Sequence, residues 1–528
     1  MSGAAAPSSA AGGADPAAMP TGVRWVMITV SIMLATIMQA IDMTIANVAL
    51  PHMQGSLSAT QDQASWILTS YIVAAAIAIP PTGFLVGRLG RRRMFLICVG
   101  GFTTASVLCG ISQSLEQMVF FRLLQGLFGA GLVPLSQSVL LDINPPEKHG
   151  SAMAAWGVGV VIGPIIGPTL GGWLTEYYDW RWVFFINLPF GLLALTGIAV
   201  FVPETLRIKR RFDFLGFGLL SLGIGALQLM LDRGESQDWF SSAEVVAEAV
   251  IAGLSIYLFI VHSMTYRRIG KQPFVDLAIF KDRTFCTGMV FIFLLGIVLL
   301  ATMALLPPFM QNLMGYPVLD AGLVLAPRGL GTMIAMAVVG RLVGRVDTRL
   351  LILCGFGLVA VSLWQMASFS LDVSETGIAW TGLIQGLGLG LAFVPMTTMT
   401  FATLAPHLRT EGTSFYSLVR NLGSSIGISV VITRLSQGSQ SYHAILAEHA
   451  SPYAEAFRGG FVPPQWNPLR PEGLAALDQV VRQQATLMAY LDDFRLMAIT
   501  TVLILPLLLV VRKPAQNQTA EAPHAALD

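Results

Sequence analysis

Gly157 to Leu174 reads GVGVVIGPIIGPTLGGWL, an apolar stretch in which Gly159, Gly163, Gly167 and Gly171 recur at every fourth residue. Residues at that spacing share one face of a helix. A face without side chains lets a second helix approach closely, which is how helices associate in lipid, where no hydrophobic drive separates helix from solvent. Pro164 and Pro168 each delete a backbone donor and bend the helix, a defect tolerated in membranes when neighbouring groups satisfy the freed carbonyls. The stretch predicts a bendable membrane helix with a smooth contact stripe, the hinge of a protein that moves. The plainer alternative is a packing helix in a static polytopic protein.

The rest of the chain places this helix in a membrane. Of its 528 residues 54% are hydrophobic and 12% charged, with a mean hydropathy of +0.68, too little charge for a soluble surface of that size. A net charge of +1 gives no basic excess for nucleic acid. The four cysteines, Cys98, Cys109, Cys286 and Cys354, lie in or beside apolar runs without metal-ligand spacing. Runs long enough to cross a bilayer occur near 25–49, 65–86, 94–112, 117–141, 152–174, 182–202, 213–231, 245–265, 286–310, 321–344, 349–369, 377–403, 411–434 and 492–511. The expected fold is all-α and polytopic, with fourteen transmembrane helices.

Most of the 31 basic residues fall in loops that share one side if the N-terminus is cytoplasmic, among them Arg88, Arg91, Arg92, Arg93, Arg207, Lys209, Arg210, Arg211, Arg267 and Arg268. The positive-inside rule then puts both termini in the cytoplasm. Residues 1–24 and 512–528 read as disordered tails. Between the last two spans lies a polar segment, 435–491, in which Gly473 to Leu491 has helical spacing of apolar residues.

An internal repeat organises the spans. Pro51 to Gln54 recurs as Pro308 to Gln311, and GFLVGR at Gly83 to Arg88 recurs as GRLVGR at Gly340 to Arg345, both offset by 257 residues. QGLFGAGLVP from Gln125 recurs as QGLGLGLAFVP from Gln385, offset by 260. The copies lie eight helices apart, so the halves are parallel repeats. This divides the chain into a six-helix half at 25–205, two inserted helices with their linkers at 206–284, and a second six-helix half at 285–511.

Asp42 is the residue most exposed to chemistry. It lies inside the first span in Gln39-Ala-Ile-Asp42-Met-Thr44-Ile-Ala-Asn47, roughly two thirds of the way across. A carboxylate at that depth must face water, pair with a cation or carry a proton. Burial favours the neutral acid and a nearby cation the anion, so a movement that exchanges these surroundings loads and releases a proton. A structural, hydrogen-bonded Asp is the alternative. Arg122 is the neighbouring charge of the same half, either a modulator of Asp42 or a helix-end anchor. Gln39, Thr44, Asn47, Gln125 and Gln385 are candidate polar groups of a substrate cavity. Gly83, Arg88, Gly90 and Arg91, with Gly340 and Arg345 in the second copy, read as paired gating loops. Arg328 and Arg420 are the comparable charges of the second half, to which the sequence assigns no partner.

These stretches together resemble the major facilitator superfamily, and within it the fourteen-helix drug:proton antiporters of the EmrB/QacA type. The resemblance rests on IDMTIANVALP from Ile41, FRLLQGLFGAG from Phe121, IGPIIGPTLGG from Ile162, WRWVFFINLPFG from Trp180 and LQLMLDRGESQDWF from Leu227. It implies a 6 + 2 + 6 arrangement and proton-driven export of hydrophobic, structurally varied compounds across a bacterial inner membrane. The proton gradient would be the energy source, with no cofactor. It further implies a periplasmic adaptor of the EmrA type and an outer-membrane channel of the TolC type, with 435–491 as a candidate contact. An exporter of one physiological molecule, such as a siderophore, fatty acid or self-made antibiotic, would carry the same motifs. The chain departs from the pattern in two places. Gly87 stands where the loop motif usually has Asp, and the later spans offer none of the acids of QacA-like relatives, which leaves Asp42 as the membrane carboxylate for coupling.

Overall fold

The computed structural model describes residues 20–509 except 206, 208–211, 272, 276, 406–407, 450–465 and 467–469. Residues 1–19 of the expected tail at 1–24, the expected tail at 512–528, the basic residues Lys209, Arg210 and Arg211, and the middle of 435–491 lie outside the described residues, whereas Gly22 to Arg24 of the first tail already belong to the first helix.

All the long elements are helices: α1 (Gly22–Ser56), α2 (Gln61–Ala78), α3 (Pro81–Leu89), α4 (Arg91–Gly110), α5 (Leu115–Gly129), α6 (Leu132–Ile143), α7 (His149–Tyr177), α8 (Trp182–Phe185) and α9 (Asn187–Phe201) in the first half. Then come α10 (Phe214–Arg233) and α11 (Ala243–Arg268), followed by α12 (Arg283–Pro308), α13 (Val318–Leu342), α14 (Thr348–Met366), α15 (Glu375–Ala402), α16 (Arg409–His449) and α17 (Pro471–Ile504). Twelve of the described helical segments are long and apolar enough to cross a membrane, thirteen if α2 and α3 form one span bent by 58°. The break falls at Pro80 and Pro81, where two successive N–H groups are missing. The fourteenth expected span, 492–511, falls on the C-terminal part of α17 and the 3₁₀ turn Leu505–Leu509, and its Asp492, Asp493 and Arg495 set it apart from the purely apolar helices. A count of fourteen is consistent with these elements.

Helix boundaries follow local chemistry. Thr60 and Gln63 form a reciprocal capping box on α2, and Ser114, Asp213, Asp282 and Ser374 cap α5, α10, α12 and α15. Gly90 ends α3 at φ +91°, a conformation that only glycine adopts freely, and its site is closed off by the Glu204 carboxylate. The stretch from Gly157 lies within one continuous helix, α7, that carries both prolines.

The repeat is visible as packing. The glycine stripe of α7 lies on α1: a Cβ at Gly163 would stand 2.5 Å from the backbone carbon of Ala40, and one at Gly171 2.8 Å from Ile45. In the second half Gly423 and Gly427 of α16 meet the backbone of Phe293 and Ile297 on α12 in the same way. Gly126 of α5 touches the carbonyl of Tyr71 on α2, and Gly386 of α15 that of Arg328 on α13.

The described parts of 435–491 are helical. α16 and α17 both run on as helices beyond the apolar spans and pair with each other through His443–Asp478 at 2.8 Å, Ser439–Thr486 at 3.0 Å and the Tyr442–Asp492 hydrogen bond. The helical spacing from Gly473 belongs to α17 and continues into the last span.

Candidate functional site

Asp42 is fully buried on α1; two other helices donate to its carboxylate, and two more hold those donors in place. From α5, Arg122 Nη1 donates to Oδ2 at 2.9 Å and Gln125 Nε2 to Oδ1 at 2.8 Å. These two side chains share a helix face at a spacing of three, and Arg122 also donates to the Gln125 Oε1 at 2.8 Å. From α9, Asn187 Nδ2 donates to Oδ1 at 2.9 Å and to Ser106 Oγ of α4 at 2.9 Å. From α2 come the Ile67 carbonyl, accepting from Arg122 Nε at 3.1 Å, and the Tyr71 ring, 4.6 Å from the guanidinium carbon. Gly126 makes this possible: a Cβ there would sit 2.3 Å from the Tyr71 carbonyl oxygen, so α5 and α2 touch at the backbone and Arg122 reaches across.

The electrostatic logic is that of a buried pair. Desolvating an Asp and an Arg is offset only when their remaining donors and lone pairs are also satisfied. Here the carboxylate receives three N–H donors, and the cation holds a carboxylate, an amide, a carbonyl and a ring face. Removing any one member leaves a buried charge short of partners. Arg122, which the sequence left open as a helix-end anchor, is 1% exposed and belongs to this centre. Asn187, Ser106 and Tyr71 went unassigned. Asn187 was visible only as a polar residue in the quoted INLPFG run, and its role depends on α9 packing against α1, which no local pattern encodes.

The other candidates divide. Gln39 is buried on α1 one turn before Asp42. Thr44, placed by sequence in a cavity, is instead used in helix contact: its hydroxyl donates to the Gly163 carbonyl of α7 at 3.2 Å and also back to Ala40. A hydroxyl beside a glycine stripe finds the partner helix's carbonyls first. Asn47 is exposed. Gln385 is buried, donates to Thr302 at 3.3 Å, and leaves its Oε1 without a partner. Asp42 is not the only buried acid in the spans, contrary to expectation. Asp493 of α17 is 1% exposed beside Arg434 Nε at 3.4 Å; Asp232, near the end of α10, is exposed and accepts a hydrogen bond from Thr69. Asp493 stands at the edge of the expected span 492–511, inside a helix that begins at Pro471, so a search for charges within the apolar run passes it by.

At the basic end of the bundle the halves are clasped together. Asp142, at the end of α6, accepts Arg91 of α4 at 2.6 Å and Arg409 of α16 at 2.9 Å. Gly83 of α3 faces the backbone of Glu411 so closely that a Cβ would lie 2.9 Å from its Cα. In the second copy, Gly340 packs on Ala154 of α7, and Val343 meets Gly150. Gly83, Gly90, Arg91 and Gly340 are therefore at the contacts between elements, whereas Arg88 and Arg345 are exposed. Asp142 ties Arg91, at the start of α4, to the other half through Arg409.

Comparison with known proteins agrees with this architecture. Residues 32–428 match the Major Facilitator Superfamily. The chain is 39% identical over 435 residues to the multidrug export protein EmrB of Escherichia coli K12, covering 82% of this chain and 84% of that one. It is 37% identical to the fatty acid resistance protein FarB of Neisseria gonorrhoeae (82% and 85%), and 34% identical over 503 residues to the probable multidrug resistance protein EmrY of E. coli K12 (94% and 97%). Among solved structures, the proton:xylose symporter XylE superposes with a TM-score of 0.59 at 13% identity, covering 91% of this chain and 96% of its own, and the human organic anion transporter MFSD10 with 0.57 at 16% (91% and 100%). Two parallel halves with glycine-lined helix contacts, a buried carboxylate in the first helix and these relatives lead to one conclusion: the chain belongs to the Major Facilitator Superfamily, in its EmrB-type branch.

Proposed function

We propose that the protein is a proton-driven exporter of hydrophobic, structurally varied compounds, working by alternating access across a bacterial inner membrane with both termini in the cytoplasm. The observation that carries this reading is the Asp42–Arg122–Gln125–Asn187 centre: a buried carboxylate on α1 held by side chains of α5 and α9, helices whose relative movement would change its partners. The name and the extent of similarity of EmrB and EmrY support the class of substrate. Asp42 takes a proton from the outer side, protonation releases its hold on Arg122, and the helices rearrange to discharge substrate. Return frees the proton inward. The clasp of Asp142 with Arg91 and Arg409 closes the basic end, which this reading puts in the cytoplasm. A proton crossing about 150 mV brings roughly 3.5 kcal/mol, scaled from about 2.3 kcal/mol per 100 mV, and that sustains a gradient of a few hundred-fold.

In Gram-negative cells we place the paired extensions of α16 and α17 on the periplasmic side, where an adaptor of the EmrA type and through it a TolC-type channel would dock. The test of the function is transport by purified protein in liposomes under an imposed pH gradient. Several unrelated hydrophobic dyes and antibiotics should move against their gradients and compete with one another. Movement of a single compound class would replace multidrug export by export of one metabolite, and no gradient-dependent movement would end the reading.

A further inference from the structure

The repeat permits a comparison between the Asp42 centre and its counterpart in the second half. The 257-residue offset carries Asp42 onto Leu299 and Tyr71 onto Arg328, and the 260-residue offset carries Arg122 onto Gly382 and Gln125 onto Gln385. Packing fixes the register independently, because Gly126 meets the carbonyl of Tyr71 where Gly386 meets that of Arg328. In the second half the cation has therefore changed helices. Arg328 projects from α13 beside Gly382, whose missing side chain leaves it room: a Cβ at Gly382 would lie 3.5 Å from the Arg328 Cβ. The carboxylate has no replacement, since Leu299 stands in its place.

Arg328 is 8% exposed, and the hydrogen bond it makes runs from Nη2 to the carbonyl of Leu299 at 3.1 Å. Among the described residues no carboxylate pairs with it. A guanidinium carries five donors and keeps its charge when buried, so a site like this is incomplete without an anion. On α15, between Gly382 and Gly386 that both meet Arg328, Gln385 has an acceptor, Oε1, without a partner. Gly329, the next residue, packs on Ile165 of α7 and so lies on the seam between the halves, along which alternating access opens a path.

We infer that Arg328 anchors the anionic headgroup, a carboxylate in the first instance, of amphipathic substrates in the second half. The inference rests on the exporter reading above and specifies one substrate class within it. The planar guanidinium pairs with a carboxylate in two-point fashion, Gln385 Oε1 accepts from a headgroup that arrives protonated, and the apolar tail lies along the half-buried Val324, Leu325 and Leu299.

The test uses the full chain in liposomes of zwitterionic and of anionic lipid, with three probes under a pH gradient: a carboxylated amphiphilic dye, its neutral amide and a cationic dye. Arg328→Gln should raise KM for the carboxylated dye roughly tenfold, the value of a charge-assisted hydrogen bond, in both lipids, leaving the amide and the cation unchanged. Arg328→Lys should fall between. Leu299→Asp, which supplies the missing carboxylate from the protein, should block the carboxylated dye selectively and keeps the idea testable if Arg328→Gln does not fold. Equal loss for all three probes, or no change in any, overturns the inference by making Arg328 structural. An effect confined to anionic liposomes assigns the site to a lipid headgroup and overturns it also. Wild-type transport of the cation but not the carboxylated dye removes the inference and leaves the exporter standing, whereas transport of none removes both.

Discussion

At the residue scale the centre behaves as one unit. Asp42 and Arg122 neutralise each other's charge at 2.9 Å, so a single loss costs more than the pair is worth. Arg122→Gln should lower stability by about 3–5 kcal/mol, the cost of stranding a buried charge, read as a lower melting temperature in detergent, while the double variant with Asp42→Asn regains most of that stability and still fails to transport under a pH gradient. A double variant as unstable as the single would show that the two residues do not depend on each other. Asp42 itself was legible because an acid within an apolar run needs no context to stand out. Its partners were not. Arg122 is 80 residues away and Asn187 is 145 away, so their meeting depends on how α1, α5 and α9 pack, and the sequence shows each only as an isolated polar residue.

At the scale of the element, α7 shows how far spacing alone carries. Four glycines at intervals of four predict a close helix contact, and the structure supplies the partner, α1, the helix of Asp42. Movement of α7 is thereby linked to the proton site through backbone contact. Gly163→Ala would force a Cβ to within 2.5 Å of the Ala40 backbone, where no side chain can yield. It should reduce transport at least tenfold and lower the melting temperature, since overpacking costs about 1–3 kcal/mol. Gly172→Ala, whose Cβ meets nothing within 4 Å, should match wild type in both assays. Equal behaviour of the two would remove the α7 contact from the mechanism. The second half repeats the contact between α16 and α12 with glycines but without prolines, so the two halves are unequal at this helix. In the polar segment 435–491 the helical spacing from Gly473 to Leu491 is realised in α17, while the extension of α16 to His449 has too polar a composition to stand out in the sequence.

For the whole molecule, the 257-residue repeat and the alternation of spans already define two parallel halves with two helices inserted between them. What the sequence lacked was the clasp. Arg91, Asp142 and Arg409 come from three helices in both halves, and none is distinctive alone. Asp142→Ala should release two partly buried ion pairs worth about 1 kcal/mol, shifting the balance of conformations roughly fivefold toward opening at the basic end. Spin labels on the basic ends of α3 and α16 should then show a larger population of long distances. An unchanged distance distribution would leave the clasp without a gating role.

The central claim, that export is coupled to proton movement at Asp42, predicts that substrate and proton each weaken the other's binding. The most direct measurement is proton release on addition of substrate to purified, lightly buffered protein, with substrate binding followed in parallel by fluorescence. Wild-type protein should release protons in step with binding, and Asp42→Asn should bind substrate but release none. Undiminished release from Asp42→Asn would contradict the account and place coupling at another group, such as Asp493.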